Sequence, residues 1–199
     1  MASFYKKVPK EVILELPTKA FEGEIHVIDN ADAVPEAVTY LNNHKLLGFD
    51  TETRPSFKKG ERHQVALLQL ATNEKAYLFR LNKIGLPQEI IDILSNGNII
   101  KTGAAIHDDI KALQSHTDFK ADGFVELQTY VKDFGIEDNG LKKLTCNILG
   151  FRISKKDRLS NWEDESYSDS QKQYAATDAW VSHEIYSILS NVDGDIELK

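Results

Sequence analysis

Two acidic residues in one short segment suit metal chemistry. In KLLGFDTET, residues 45–53, Asp50 and Glu52 stand two positions apart. On a β-strand alternate side chains share a face, so both carboxylates point the same way with Cα atoms roughly 6.6–6.8 Å apart. Leu47 and Phe49 point to the other face. Two like charges on one side of an otherwise apolar strand suit a hard divalent cation with oxygen ligands. The alternative is that the strand stops at Phe49 and DTET is a solvated turn. A third acid, Asp178, falls on a helical stripe with Tyr174, Val181, Ile185 and Ile188. The apolar members mark that stripe as core-facing, where a charge is costly unless it is paired or metal-bound. A backbone amide or an Arg partner would also satisfy it. Tyr174, one turn earlier, can bring its hydroxyl to whatever Asp178 holds. Asp108 and Asp109 sit in HDDIKAL at a helix start, where Asp caps and complements the dipole. Pattern alone does not say which of the two, if either, turns into a site. Four acids with a Tyr suit two-metal chemistry, in which one cation activates a water and the other steadies the leaving oxygen, about 3.5–4 Å apart.

The elements that must position these groups are also legible. EIHVIDN alternates like a strand, and residues 30–44 read as a helix that Asn30 caps, with Ala33, Val34, Ala37, Val38 and Leu41 at helical spacing. KLLGFDTET is the second strand. VALLQLA and KAYLFRL flank the short polar turn TNE and read as a hairpin. PQEIIDILSNG reads as a helix closing at Gly97, NIIKTGAA as a short strand, and HDDIKALQSH as the helix after it. VELQTYVKDFG, GLKKLTCNILGF and SDSQKQYAATDAWVSHEIYSILSN look helical, with a short strand near Phe124–Leu127. Strands that open with a hairpin and then alternate with helices predict an α/β mixed sheet with helices on its faces. Pro9 and Pro17 break the first 22 or so residues into an arm.

Composition narrows the function. The chain has 199 residues, 41% of them hydrophobic and 28% charged, which suits one domain with a real core. Lys plus Arg total 24 and Asp plus Glu 31, so the formal charge is 24 − 31 = −7. That argues against coating nucleic acid by bulk electrostatics, but not against gripping a few phosphates locally. Cys146 is the single cysteine, so no intramolecular disulfide forms, and it reads as core packing. The start lacks the apolar core of a signal peptide and no apolar run reaches membrane-span length, so a cytoplasmic protein is expected.

FDTET, the HDD segment behind its short strand, and YAATD resemble, in order and spacing, the three motifs of the DEDD (DnaQ-like) 3′–5′ exonuclease superfamily. GFDTETRPSF, VALLQLAT, FVEL, GLKKL, Ser160–Trp162 and QKQYAATDAW resemble the branch that contains RNase D and the Werner syndrome exonuclease domain. The resemblance covers roughly residues 24–190. It implies a ribonuclease H-like mixed sheet of five to six strands with helices on both faces. The expected layout is an arm at 1–22, an exonuclease domain at 23–192 and a tail at 193–199, with no helicase and no separate nucleic-acid-binding domain.

The same resemblance implies roles. Asp50 would bridge two divalent cations, Mg²⁺ or Mn²⁺. Glu52 and Asp178 would hold the nucleophile-side one, and Asp109 would support the second, largely through water. Asp109 rather than Asp108 keeps the family's spacing from Gly103. Tyr174 would orient the attacking water. The sister subtype carries His five residues before the third-motif acid; here that position is Gln173, which marks the Tyr subtype. The implied partner is a DNA or RNA 3′ end, and the product a nucleoside 5′-monophosphate. A catalytically inactive nucleic-acid-binding module of the same fold is the alternative.

Contacts to the strand are expected from two basic loops, either of which could also be a solvated surface. RPSFKKGERHQ carries Arg54, Lys58, Lys59 and Arg62; FRISKKDRLSNW carries Arg152, Lys155, Lys156 and Arg158. Thr51 and His107, beside the acids, are further candidates, although a lone His is more often simply solvated. Trp162 would either stack on a base or anchor the structure near the site.

Overall fold

The computed structural model describes residues 2–58, 60–61, 63–192, 194 and 196–199. Lys59 and Arg62, both expected on the first basic loop, lie outside the described residues. In chain order the elements are β1 (Ala2–Phe4), α1 (Lys10–Glu15), β2 (Glu24–Ile28), α2 (Val34–Asn42), β3 (Leu46–Thr53), β4 (Val65–Ala71), β5 (Lys75–Phe79), α3 (Leu81–Ile84), α4 (Gln88–Leu94), β6 (Ile100–Gly103), α5 (Ile106–Gln114), β7 (Phe124–Glu126), α6 (Leu127–Tyr130), α7 (Leu141–Leu144), α8 (Asp169–Ser190) and β8 (Ile196–Leu198).

Six strands form one mixed sheet in the order β2-β5-β4-β3-β6-β7. The central hairpin β4-β5 and the pair β3-β4 are antiparallel, and the outer pairs are parallel. β4 is buried at every position, as a strand in mid-sheet with both faces covered must be. On one face α2, α4 and α5 set Val34, Leu41, Ile90, Leu94 and Leu113 against Leu47, Phe49, Leu68 and Leu70. On the other, α8 lays Ala175, Ala176 and Ala179 against Leu67, Ala71 and Leu78. The mixed sheet with helices on both faces is thus the architecture the sequence pattern predicts, with six strands. No described helix is long and apolar enough to cross a membrane.

Three local expectations change. The helical stretch after β7 is the single turn α6 followed by a 3₁₀ turn at Val131–Phe134, and the stretch from Leu141 is α7 continued by a π turn at Thr145–Leu149. On α8 the core stripe ends in Leu189, 1% exposed, while Ile188 is 40% exposed. The 3.5-residue spacing of positions 174 to 188 drifts by about 20° per heptad on a 3.6-residue helix, so the stripe moves one residue along. The arm, described from residue 2, runs along the body: β1 pairs with β8, Phe4 packs with Leu127, Val131 and Leu189, and Phe21 is buried against the α8 face.

Candidate active site

β3 carries Asp50 and Glu52 on the face that α8 covers, and α8 carries Asp178. The close approach of the two elements depends on Gly48. A Cβ there would stand 1.8 Å from the Ala179 carbonyl oxygen and 3.0 Å from the His183 nitrogen. With no side chain at that point, helix backbone rests directly on the strand. Asp178, adjacent to Ala179, is thereby delivered beside Asp50. The helix begins with a capping box in which the Ser168 hydroxyl accepts from the Gln171 amide and the Gln171 side chain accepts from the Ser168 amide.

One carboxylate oxygen from each of Asp50, Glu52 and Asp178 lies within 4.8 Å of the others. Asp178 Oδ1 is buried and meets no hydrogen-bond donor of the protein. Three acids gathered so closely, one with an orphaned buried oxygen, are a donor set that fits hard divalent cations. The protonation behaviour of the bare cluster agrees. Burial, then the charges of Asp178 and Asp109, holds the Asp50 carboxyl well above the usual carboxylate range. Burial and the neighbouring acids push Glu52 up to about 10. Burial pushes Asp178 up to about 6, against the Tyr174 hydroxyl and Lys142, which pull it down. Tyr174 itself is raised far above its ordinary value by burial and by the facing Asp178 and Glu52.

Asp109 sits apart from this trio but turned towards it. The Thr51 hydroxyl donates to its carboxylate, and burial raises it. Asp108 and His107, its neighbours, are exposed. The turn that aims α5 contains Ala105 at φ 64°, a left-handed conformation that costs an L-residue energy. Glu126, at the end of β7, braces it: its carboxylate accepts from the amides of Ala105 at 2.9 Å, Ile106 at 2.8 Å and Gln128 at 3.0 Å. The FVEL segment gives no local sign of this role, because Glu126 acts on a turn about twenty residues away.

The candidate strand contacts separate. Lys155, Lys156 and Arg158 are exposed on the loop before α8, and Lys58 is exposed on the loop after β3. Arg54 is held by Glu163 at 3.1 Å. The two loops face each other across a cleft of about 310 Å³ lined by Arg54, Phe57, Lys58, His63, Leu159 and Asn161. Thr51 spends its hydroxyl on Asp109. Trp162 sits inside the structure, not on a face open to a base. It is 0% exposed, packed edge-on to Tyr167 and against Tyr174, with the Tyr167 hydroxyl donating to its carbonyl. Arg80 locks the surrounding loop by lying over Tyr167 and donating to the carbonyls of Asp164 and Glu165. A second missed residue, Lys142 of α7, lies 5.7 Å from the centre of the Tyr174 ring and donates to the Ser154 carbonyl at 2.6 Å. Its only sequence signal was its place in GLKKL.

Comparison with known proteins gives a consistent result. A family model described as 3′–5′ exonuclease matches residues 25–192. The Mus musculus bifunctional 3′–5′ exonuclease/ATP-dependent helicase WRN is 35% identical over 196 residues. That match covers 93% of this chain but 14% of the relative, so the chain spans a small part of that protein's length. The Aedes aegypti Nibbler EXO domain superposes with a TM-score of 0.76 at 22% identity, covering 86% of this chain and 91% of that one. Trypanosoma brucei RNase D, solved in complex with RNA U12, superposes with a TM-score of 0.73 at 18% identity, covering 92% and 65%.

Proposed function

The chain belongs to the 3′–5′ exonuclease domain family, of the DEDD, DnaQ-like superfamily and its RNase D and WRN branch, and from that premise we propose that it removes nucleotides one at a time from the 3′ end of DNA or RNA, releasing nucleoside 5′-monophosphates. The observation that carries the reading is the trio Asp50, Glu52 and Asp178 with its orphaned Asp178 oxygen, placed beside Tyr174.

Asp50, Glu52 and Asp178, with Asp109 nearby, are the residues that would hold two divalent cations, Mg²⁺ or Mn²⁺. Such cations would supply Lewis acidity towards the attacking water and the leaving 3′-oxygen, and offset the charge of the phosphodiester. The protein's own groups bind and orient. Tyr174 stays un-ionised across the working pH range because burial and the facing carboxylates disfavour its phenolate. Its Oη therefore remains a hydrogen-bond donor that can fix the orientation of a water for in-line attack, and is not a base. Thr51 fixes Asp109 through its hydroxyl, and Glu126 fixes the turn that precedes it. The exposed Lys155, Lys156, Arg158 and Lys58 would track the strand's phosphates.

The test is a 5′-labelled oligonucleotide with Mg²⁺ or Mn²⁺, comparing the wild type with Asp50→Asn and Asp178→Ala. Wild type should give a ladder shortening from the 3′ end, and each variant should lose at least about 10²-fold in rate, the scale of removing a preorganised electrostatic group. An intact 3′ end with the wild type under both metals, or equal digestion by the variants, would refute the proposal. Parallel reactions on matched RNA, single-stranded DNA and recessed duplex would then set the substrate.

A further inference from the structure

Lys142 is placed where the acidic trio meets the second basic loop. Its Nζ is pinned by the Ser154 carbonyl at 2.6 Å, on the segment that continues into Lys155 and Arg158, and it lies 5.7 Å from the centre of the Tyr174 ring. An ammonium has three donors and the carbonyl takes one. Four carbon–carbon linkages of stem make Lys one of the costlier residues to order, so a half-buried, hydrogen-bonded Lys beside a reactive cluster calls for a reason. A tether to the loop alone would not need a charge. Burial lowers the Lys142 pKa; the charges of Asp178 and Glu52 favour its ammonium, and those of Lys155 and Arg158 oppose it. Three cations gathered at one edge of the site repel each other unless an anion comes between them. Divalent cations held by Asp50, Glu52 and Asp178 would take up the charge of those carboxylates, and the basic edge would then be free to balance an anion.

We propose that Lys142 contacts a non-bridging oxygen of the scissile phosphate, with Lys155 and Arg158 beside it on the same phosphate or its neighbour. The proposal rests on the exonuclease reading above. It makes Lys142 a substrate-binding cation on the Tyr174 side of the phosphate, where it shares the charge that builds up as the water adds. A compact ammonium suits this place, as a point-charge donor to one oxygen.

Lys142→Met keeps the apolar stem over Tyr174 and removes the charge; Lys142→Gln serves the same comparison with a neutral polar end, and Lys142→Arg restores a cation. With the same 5′-labelled oligonucleotide, kcat should fall about 10²-fold in the Met and Gln variants, and the Arg variant should recover a large part of the loss. Competitive inhibition by an added nucleoside 5′-monophosphate should weaken by about tenfold or more in the Met variant, while inhibition by the parent nucleoside, which has no phosphate, stays unchanged. Melting temperatures report whether each variant is folded. Wild-type turnover by Lys142→Met, or slower turnover with unaltered monophosphate inhibition, overturns the proposal and leaves Lys142 as a loop tether. If the wild type itself does not shorten the oligonucleotide, the exonuclease reading fails and this one with it. If the wild type shortens it and Lys142→Met matches, only this one fails.

Discussion

At the scale of single residues, the acids are the feature most open to measurement, because their cluster works against folding. Asp178 has its pKa raised to about 6 and Glu52 to about 10, and Asp50 is raised too. An acid whose folded pKa lies above its unfolded value, near 4, favours the native state most at low pH. That contribution is lost as pH rises through the folded value. Without metal, stability should therefore decline from about pH 4 upwards, with Asp178 contributing up to about pH 6 and Glu52 up to about pH 10. Divalent cations need the ionised carboxylates, so they should reverse the trend at pH 7 to 8. The expected outcome in EDTA is a melting temperature that drops between pH 5 and pH 8 and rises again on adding Mn²⁺. Asp178→Asn should remove part of the EDTA slope and gain up to about 3 kcal/mol at pH 8, from a shift of roughly two units at 1.36 kcal/mol each, while losing the Mn²⁺ response. A flat EDTA profile, or a destabilised Asp178→Asn, would show that the cluster is not strained. These residues were legible because each broke a local rule: Asp50 and Glu52 shared a strand face, and Asp178 interrupted a core stripe. Asp109 could not be told from Asp108 by pattern, since what separates them is the Thr51 hydroxyl on another element. Trp162 stayed open between a stacking platform and an anchor, because the contact that closes the pocket is not local: Arg80, just after β5, lies over Tyr167, which packs edge-on to Trp162.

At the scale of elements, the site exists because α8 lies directly on β3. The sequence showed both elements with near-correct bounds through their 2.0 and 3.6 periods, and it showed that one carried two acids and the other one. It did not show how near they come. That distance is set by Gly48, whose missing Cβ would otherwise stand 1.8 Å from the Ala179 carbonyl oxygen. Gly48→Ala must push the helix outwards, or bend the strand, at the residue next to Asp178. Overpacking of this kind costs about 1–3 kcal/mol and sometimes more. Activity should suffer beyond stability, since a displacement of about 1 Å at a reacting centre can cost about 10²-fold. The check is turnover at a temperature where circular dichroism still shows Gly48→Ala folded, together with its Mn²⁺ affinity by calorimetry. Turnover and affinity equal to wild type would mean that the contact does not set the site. The short elements α6 and α7 were overestimated for a related reason. Helical spacing continues through Val131–Phe134 and Thr145–Leu149, but tertiary packing turns the first into a 3₁₀ turn and the second into a π turn.

At the scale of the whole molecule, the two ends of the chain are tied to each other and to the body. β1 pairs in parallel with β8, and the Asn147 side chain accepts from the Tyr5 amide at 2.8 Å and donates to the Tyr5 carbonyl at 2.7 Å. Buried Asp138 accepts from the Val8 amide at 2.7 Å. Further on, Pro17 and Lys19 exchange backbone hydrogen bonds with Arg152, and the Phe21 amide donates to Thr177 on α8. The partners of this opening segment lie more than a hundred residues away in sequence, so the local signs, Pro9 and Pro17, marked an arm without showing where it docks. The attachment also passes close to function, because Arg152 begins the loop that carries Lys155 and Arg158. Asn147→Ala would leave the Tyr5 amide and carbonyl without their partner in a half-buried place, at about 1–3 kcal/mol for an unsatisfied group. For a chain of 199 residues that corresponds to a fall of several degrees in melting temperature, at about 2–4 °C per kcal/mol. The hydrogen bonds of Asn147 go to Tyr5 and Asp138 and not to Asp50, Glu52, Asp109 or Asp178, so turnover at 25 °C should stay close to wild type. The informative contrast is proteolysis: Asn147→Ala should be cut within residues 2–22 well before global unfolding, because loosening one tie raises the open population of that segment alone. Cleavage that appears only with global unfolding would mean that segment and body unfold as a single cooperative unit, with Asn147 contributing to the whole.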